Sequence, residues 1–392
     1  MQWTLLKEQL AETPAFVYDL DTIEKTLQTL SNLRDQSGCK VLYSIKSLPF
    51  LPILQIMQSY LDGFSVSSLF EARLASEVLA GKGSVHLTTP GIRADEVEEL
   101  ARICSHISCN SYRQMELFTK HWEQGASVGL RLNPKLSFLD DRRYDPCRPY
   151  SKLGIDLEAL DMNALSGRIK GLHFHNIFSA SDFEPLLQTL GAIRHQLGND
   201  FAGLEWLNLG GGYLYDQIGQ FDVFIDSVKQ LREEFGLEVL IEPGKALVGR
   251  AGYLTTSVVD CFVSDGKSIA VLDTSVNHHP EVFEYQWHPP LHEHCPNGQY
   301  SAILAGSTCL AGDIFGEYRF DRPLQEGDRL VFSDAGAYAL VKAHRFNGYN
   351  LPDIYGASSG NAFLLKRYTY QHYYDQWSGL VPAPIIDRRN IT

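Results

Sequence analysis

The stretch Val41-Leu42-Tyr43-Ser44-Ile45-Lys46 is a short apolar run that ends in a lysine, and it is the first of eight such runs. The runs recur about every 22 residues, and segments with helical periodicity, such as residues 48–60, 69–80, 94–104 and 113–121, lie between them. This alternation of strand and helix predicts an α/β fold, a (β/α)8 barrel. The eight runs begin at Val41, Gly63, Val85, His106, Val128, Gly171, Leu204 and Glu238.

Barrels of this kind carry their active sites at the carboxyl ends of their strands. The first run ends in Lys46, the fifth carries Arg131 and the sixth ends in His175. The seventh leads into Gly210-Gly211-Gly212 and the eighth into Glu242-Pro243-Gly244. Glycine-rich loops after strand seven commonly bind phosphate, and a desolvated lysine can form a Schiff base with an aldehyde. The pattern therefore predicts a phosphorylated cofactor that bears a carbonyl group.

A second domain is expected because 392 residues exceed what one compact core requires. The barrel accounts for residues 20–250. Beyond it, strand-like runs follow one another without clear helices between them, which predicts a mainly β domain over residues 251–392. An earlier run at residues 15–18 could add a strand to the barrel. The later runs cover residues 252–261, 269–274, 301–304, 328–333 and 362–369.

Bulk properties exclude several classes of protein. The net charge is −13, the isoelectric point is about 5.4 and no basic run occurs, which argues against a nucleic-acid partner. No signal-peptide pattern and no apolar run long enough to cross a membrane are visible. The seven cysteines include no CxxC pair, which is typical of reduced thiols. We expect a soluble, cytoplasmic protein without membrane partners.

Two strand-end residues suit a pyridine ring. If the cofactor is pyridoxal 5′-phosphate (PLP), Glu242 would keep the ring nitrogen protonated and make the ring an electron sink; a structural glutamate before a tight turn is the alternative. His175 could stack on the ring, whereas His173 would fill the barrel interior. The two histidines could instead bind a metal, but no matching carboxylate and third ligand are evident, so no metal is predicted.

The second domain offers further candidates. Cys309 lies in the small-residue loop Gly306–Asp313, whose composition leaves the thiol accessible and puts Asp313 close to it. Tyr338 follows a strand and could offer its hydroxyl to the phosphate. Asp273, at the end of a strand-like run, could pair with amines. The histidine-rich segment 278–294 fits no standard zinc spacing, and we interpret it as a substrate-entry or interface loop.

In combination, these residues resemble the fold-type III PLP-dependent decarboxylases, a family that includes ornithine, diaminopimelate and carboxynorspermidine decarboxylases. The resemblance covers nearly the whole chain, and the order of its motifs is highly specific. Within the family, the chain is most similar to the carboxynorspermidine branch. The matching stretches are Thr13-Pro14-Ala15-Phe16-Val17-Tyr18, Asp145-Pro146-Cys147, Ser151-Lys152-Leu153-Gly154, Thr308-Cys309-Leu310-Ala311-Gly312-Asp313 and Phe346-Asn347-Gly348-Tyr349-Asn350-Leu351-Pro352.

The resemblance implies a barrel and a β-rich domain, as in alanine racemase and ornithine decarboxylase, with residues 1–19 and 251–392 in the β-rich domain. It implies that Lys46 binds PLP covalently, that His175 stacks on the ring and that Glu242 meets the ring nitrogen. The family's active sites are completed across a head-to-tail homodimer, so Cys309 would protonate the product in the partner's site. Cofactor-binding residues are Arg131, Gly210, Gly211, Gly212, Gly244 and Tyr338, and substrate-binding residues are Asp273 and Asp313.

The implied reaction is decarboxylation of carboxynorspermidine or carboxyspermidine in polyamine biosynthesis. Two departures bear on the substrate: Leu310 replaces the acidic residue that follows the cysteine in ornithine-type enzymes, and Lys245 occupies a position where those enzymes have arginine. A related 3-amino-3-carboxypropyl or diamino acid substrate, from diaminopimelate, siderophore or peptide metabolism, is the alternative. A racemase ranks lower, and a non-catalytic regulator should have lost Lys46 or Cys309.

Overall fold

The computed structural model describes residues 3–121, 125–139 and 141–379. The chain divides into two compact units. The barrel unit contains Asp19–Gly252 together with Gly336–Val341, and the β-rich unit contains the remaining described residues. The sequence had assigned residues 336–341 to the second domain, whereas the structure groups them with the barrel.

The barrel is a closed parallel sheet preceded in the chain by helix α1 (Trp3–Leu6) and strand β1 (Ala15–Asp19). Its strand order is β5-β4-β3-β2-β10-β9-β8-β6, and β5 pairs with β6 to close the ring. The short β7 adds to the outer side of this order beside β6. The predicted (β/α)8 barrel is confirmed. The strands are β2 (Lys40–Ser44), β3 (Gly63–Val66), β4 (Ser84–Thr89), β5 (His106–Cys109), β6 (Ser127–Asn133), β7 (Ile155–Asp156), β8 (Gly171–Phe174), β9 (Trp206–Asn208) and β10 (Glu238–Ile241).

Helices connect the strands, and α2 shows why these segments are helical. Asp19 caps its first turn by accepting a hydrogen bond from the backbone N–H of Thr22 at 3.1 Å, and Gly38 ends it with a φ of 76°. Its buried face includes Ile23, Leu27 and Leu30 at helical spacing. The helices are α2 (Leu20–Ser37), α3 (Leu51–Met57), α4 (Leu69–Leu79), α5 (Val97–Ile103), α6 (Tyr112–Thr119), α7 (Met162–Leu165), α8 (Glu184–Leu197), α9 (Asp222–Phe235) and α10 (Lys245–Val248).

The β-rich unit is built on a second sheet with the order β14-β13-β12-β11-β1-β16-β17, and β15 pairs with β11. The sequence missed β14 and β16. Helices α11 (Glu281–Tyr285) and α13 (Tyr370–Trp377) belong to this unit, and α12 (Ala339–Lys342) lies at its boundary. The strands are β11 (Gly252–Ser264), β12 (Lys267–Leu272), β13 (Tyr300–Ala305), β14 (Ile314–Phe320), β15 (Arg329–Phe332), β16 (Asp353–Ser358) and β17 (Asn361–Lys366).

The expectation that residues 15–18 could extend the barrel is wrong. These residues form β1, which lies between β11 and β16 in the second sheet. All five residues of β1 are buried, as a central strand requires. The barrel is already closed by the β5–β6 pairing and offers no free edge to a further strand.

None of the helices in the described parts of the chain is long and apolar enough to span a lipid bilayer.

The large indole of Trp206 fills part of the barrel interior. This side chain is 2 % exposed, packs with Leu42 and Leu240, and donates its ring N–H to Ser127 Oγ at 2.8 Å. Gly171 on the adjacent strand leaves the necessary space: a Cβ there would lie 2.0 Å from the Trp206 ring. A small residue facing a large one is therefore required for these strands to close.

We expect Gly171→Ala to lower the free energy of unfolding by about 1–3 kcal/mol, because the added methyl group overpacks the barrel against Trp206. The measurement is the urea midpoint of the purified variant. Gly191→Ala is the matched control, since Gly191 is an exposed position of α8 with nothing within 4 Å of the new Cβ. The control should be neutral or stabilising by up to about 1 kcal/mol. Equal midpoints for both variants would contradict this packing account.

Candidate active site

A cavity of about 490 Å³ opens at the carboxyl ends of the barrel strands. Lys46 enters it from the turn after β2, and Arg131 enters it from β6. Residues predicted from widely separated motifs therefore surround one space. The lining includes Lys46, Ser65, Thr88, Arg131, His173, His175, Glu242 and Tyr338, together with several residues of the loop 143–153.

Glu242 follows β10 and is only 5 % exposed. Its Oε1 accepts a hydrogen bond from Asn208 Nδ2 at 2.7 Å, and its Oε2 lies 3.9 Å from His173 Nε2. Burial raises the pKa of Glu242 above the usual carboxyl value, while the charge of Lys46 and the hydrogen bonds from Asn208 and Ser65 act in the opposite direction. The carboxyl group is thus held in one orientation, and its affinity for a proton is higher than that of an exposed carboxyl group.

His173 and His175 differ in surroundings but share a lowered pKa. Burial lowers the pKa of both rings well below the usual histidine value, and the positive charges of Lys46 and Arg131 lower it further. Both imidazoles are therefore neutral near pH 7. His175 Nδ1 accepts the backbone N–H of Gly211 at 2.9 Å, which fixes the plane of the ring. A neutral ring fixed in this way can pack flat against an aromatic ligand.

The glycines at positions 210–212 make several different contacts. The N–H of Gly211 is used by His175, and the N–H of Gly210 is donated to Asn208 Oδ1 at 2.9 Å. The N–H groups of Gly210 and Gly211 therefore have partners within the barrel, and cofactor binding by these two glycines stays a prediction. Gly212 does line a recess beside the main cavity, and its φ of 100° together with a Cβ distance of 2.3 Å to Ile177 O requires glycine there.

The same recess contains Gly244, Lys245 and Tyr338. A Cβ on Gly244 would lie 2.2 Å from Ser47 Oγ, so the backbone approaches closely. The hydroxyl groups of Ser47 and Tyr338 are 3.4 Å apart. The recess thus combines hydroxyl groups, close backbone and the ammonium group of Lys245, a chemistry that suits a phosphate group. The sequence had left the role of Lys245 open.

The residues present fit PLP. Arg131 Nε and His173 Nε2 are buried polar atoms that have no hydrogen-bond partner among the described residues. Burial lowers the pKa of Arg131 to about 10, and its Nη2 donates to the backbone oxygen of His175 at 3.3 Å. Buried polar atoms of this kind are normally satisfied by a ligand or water. The carboxyl ends of the barrel strands thus provide an amine for the aldehyde of PLP, a carboxyl group for its ring nitrogen and a recess for its phosphate.

Cys309 belongs to the β-rich unit and is exposed. Its backbone N–H donates to Asn347 Oδ1 at 2.8 Å, so the loop that presents the thiol is fixed from a distant segment. Asn347 has a φ of 56°, a left-handed conformation that asparagine tolerates better than most residues. Asn347 lies in one of the stretches that resemble the family, but the sequence did not predict its contact with Cys309.

The two carboxylates predicted to bind substrate, Asp273 and Asp313, have hydrogen-bond donors within the β-rich unit. Asp313 is 2 % exposed; its Oδ1 accepts the N–H of Val276 at 2.8 Å, and its Oδ2 accepts the N–H and hydroxyl of Thr308. Asp273 accepts hydrogen bonds from Thr256 and Ser257 on one oxygen and from Thr13 on the other. Both side chains are occupied by donors within their own unit, so they fix loops rather than present free oxygens to a substrate.

The histidine-rich segment 278–294, interpreted from the sequence as a substrate-entry or interface loop, contains both buried and exposed histidines. His278 and His279 are buried, and His278 Nδ1 lies 3.0 Å from Thr274 Oγ1. His292 and His294 are exposed. Within the described residues, no group of three or more histidine, cysteine, aspartate or glutamate side chains could hold a metal ion.

Comparisons with known proteins agree with this geometry. Residues 15–336 match the family model described as pyridoxal-dependent decarboxylase, C-terminal sheet domain. Carboxynorspermidine/carboxyspermidine decarboxylase from Campylobacter jejuni is 33% identical over 382 residues, which covers 92% of this chain and 97% of the relative. Carboxyaminopropylagmatine decarboxylase from Synechocystis is 35% identical over 369 residues, with coverage of 92% and 94%.

Among solved structures, carboxynorspermidine decarboxylase from Campylobacter jejuni, complexed with norspermidine, superposes with a TM-score of 0.82 and 31% identity. The match covers 93% of this chain and 100% of that one. Because the family model spans most of the chain and these similarities extend over nearly all of it, the chain belongs to the pyridoxal-dependent decarboxylases, carboxy-lyases that use PLP.

Proposed function

We propose that this enzyme removes the carboxyl group of carboxynorspermidine or carboxyspermidine and thereby forms norspermidine or spermidine. The observation that carries the proposal is the full-length similarity to an enzyme named for these substrates, whose structure was solved with norspermidine. The cavity supports the reaction class, because an amine, a buried carboxyl group and neutral imidazoles line one space at the barrel mouth.

PLP, when bound, supplies an electron sink for the negative charge left at the α-carbon when CO2 departs. Lys46 would hold the cofactor covalently. Glu242 would share a proton with the ring nitrogen, since its desolvated carboxyl group has a raised pKa and is fixed by Asn208. His175 would cover one face of the ring as a neutral imidazole, and its hydrogen bond from Gly211 supports that orientation.

A second candidate substrate is carboxyaminopropylagmatine, because the Synechocystis enzyme named for it is 35% identical to this chain. This compound and the carboxylated polyamines share a carboxylated aminopropyl group and differ in the cationic group at the far end. Leu310, directly after Cys309, provides no charge for a short diamine acid. The absence of a charge at this position favours the two candidates, which are longer than ornithine or lysine.

The role of Lys46 can be tested by chemical labelling. Sodium borohydride should fix PLP irreversibly on the tryptic peptide that contains Lys46, and Lys46→Ala should lose both the label and the visible absorbance of the holoenzyme. The readout is peptide mass spectrometry. Lys170→Ala is the control, because Lys170 is a half-buried residue that pairs with Glu205 and does not line the cavity, so labelling should be unchanged. A label found on Lys152, which lines the same cavity, would contradict the assignment.

The substrate can be tested in a CO2-release assay with carboxynorspermidine, carboxyspermidine, carboxyaminopropylagmatine, diaminopimelate, ornithine and lysine. We expect kcat/KM for the best carboxylated polyamine to exceed that for ornithine, lysine or diaminopimelate by about 100-fold or more, because a cationic group left unpaired in a cavity is costly. The Lys46→Ala variant gives the background. Efficient diaminopimelate decarboxylation would refute the polyamine assignment, and a preference for carboxyaminopropylagmatine would select the second candidate.

We also propose that the active site is completed across a homodimer, with Cys309 of one subunit acting in the site of the other. The support is that Cys309 is exposed in the β-rich unit, on a loop held by Asp313 and Asn347, whereas the cofactor residues belong to the barrel unit. A fixed, accessible thiol is suited to donating a proton to a reacting carbon.

Mixing subunits tests this arrangement. Lys46→Ala and Cys309→Ala are each expected to be inactive, but a re-equilibrated equimolar mixture should recover about a quarter of the wild-type activity. Half of the dimers are then hybrids, and each hybrid keeps one intact composite site. Native mass spectrometry verifies subunit exchange. An exchanged mixture that stays inactive would show that each chain builds its own site.

A further inference from the structure

The cavity at the barrel mouth is lined by more cationic than anionic side chains. Lys46 lies on the barrel side, and Arg143 and Arg148 lie on the loop between β6 and β7. Among the described lining residues, the carboxylates are Asp145 and Glu242. A polyamine brings further positive charge into this space, so the way its nitrogen atoms are neutralised is a constraint on binding.

Glu242 is already engaged on the floor of the cavity. Its Oε1 accepts from Asn208, its Oε2 lies near His173, and the side chain is 5 % exposed. In the proposed reaction it also serves the cofactor ring. It is therefore not available for an amine of the substrate.

Asp145 has a different environment. It is 6 % exposed, and its Oδ1 accepts the backbone N–H of Cys147 at 2.8 Å. In the described part of the chain, no donor forms a hydrogen bond with its Oδ2, although the residue lines the cavity. The turn is further fixed by the N–H of Arg148, which donates to the backbone oxygen of Asp145 at 3.4 Å. A carboxylate oxygen that has no protein donor, on a residue that lines a cavity, can accept a hydrogen bond from a ligand.

We propose that Asp145 Oδ2 accepts a hydrogen bond from the protonated secondary amine of the substrate. The inference rests on the proposed function and names the group that recognises this amine. A single free oxygen suits one ammonium N–H, whereas a guanidinium group is bound best by both oxygens of a carboxylate. Asp145 is thus a specificity residue, and it takes the role that the sequence had given to Asp273 and Asp313.

The test compares two ligands that differ at the central atom. Norspermidine has a secondary ammonium there, and bis(3-aminopropyl) ether has an oxygen. Their dissociation constants from the PLP-loaded enzyme are measured by calorimetry, which needs no turnover. We expect the wild-type enzyme to prefer norspermidine by about tenfold or more, as for a hydrogen bond to a charged group.

Asp145→Asn should bring this preference close to one, because the amide keeps an oxygen for the Cys147 N–H but loses the charge. The visible absorbance of the bound cofactor should be unchanged in this variant. Asp156→Asn is the matched control, since Asp156 is an exposed carboxylate that pairs with Lys135, and the control should keep the wild-type preference.

Three outcomes separate this inference from the proposed function. If the wild-type enzyme binds both ligands equally, or if Asp145→Asn weakens both by the same factor, the inference is overturned even when carboxynorspermidine is turned over. The first of these measurements requires no variant to fold. If the ligand preference depends on Asp145 but no carboxylated polyamine is decarboxylated, the inference is supported and the proposed reaction is refuted.

Discussion

Closure of the parallel sheet by the pairing of β5 with β6 is the constraint on which the active site depends. Because all eight strands run in the same direction, closure brings their carboxyl ends to one rim, where residues from β2, β6 and β10 share a cavity. The same closure requires a filled interior. Trp206 fills it beside Gly171, so the packing at one end of the barrel supports the positions of Lys46 and Glu242 at the other.

The rim is costly to build, because it buries groups that prefer water. Glu242, His173 and Arg131 are nearly inaccessible to solvent. Burial shifts the pKa of each side chain in the direction that favours its neutral form. Hydrogen bonds within the barrel offset part of this cost at Glu242. Arg131 Nε and His173 Nε2 receive no such compensation from the described residues. A site with unpaired polar atoms binds a polar cofactor more strongly than a fully satisfied one does, since the ligand removes an existing penalty.

Sequence periodicity was sufficient for the barrel, because strand and helix spacing is local and each strand end is marked by its own motif. Periodicity did not predict contacts between segments that are far apart in the sequence. Residues 15–18 read as a strand, but their place between β11 and β16 depends on segments more than 200 residues away. The contact of Asn347 with Cys309 and the use of the Gly211 N–H by His175 are also tertiary effects. Residue type at these positions suggested chemistry, whereas only the fold decides which atoms remain free.

The carboxylates illustrate this distinction. Asp313 and Asp145 are both nearly buried aspartates, and residue type alone does not tell their roles apart. The donors around them do: Val276 and Thr308 occupy both oxygens of Asp313, whereas Cys147 occupies one oxygen of Asp145. A buried carboxylate whose oxygens are both bound by the protein stabilises a loop, and one with an oxygen left toward a cavity can bind a cation. Counting donors for each oxygen thus assigns opposite roles to two residues of the same type.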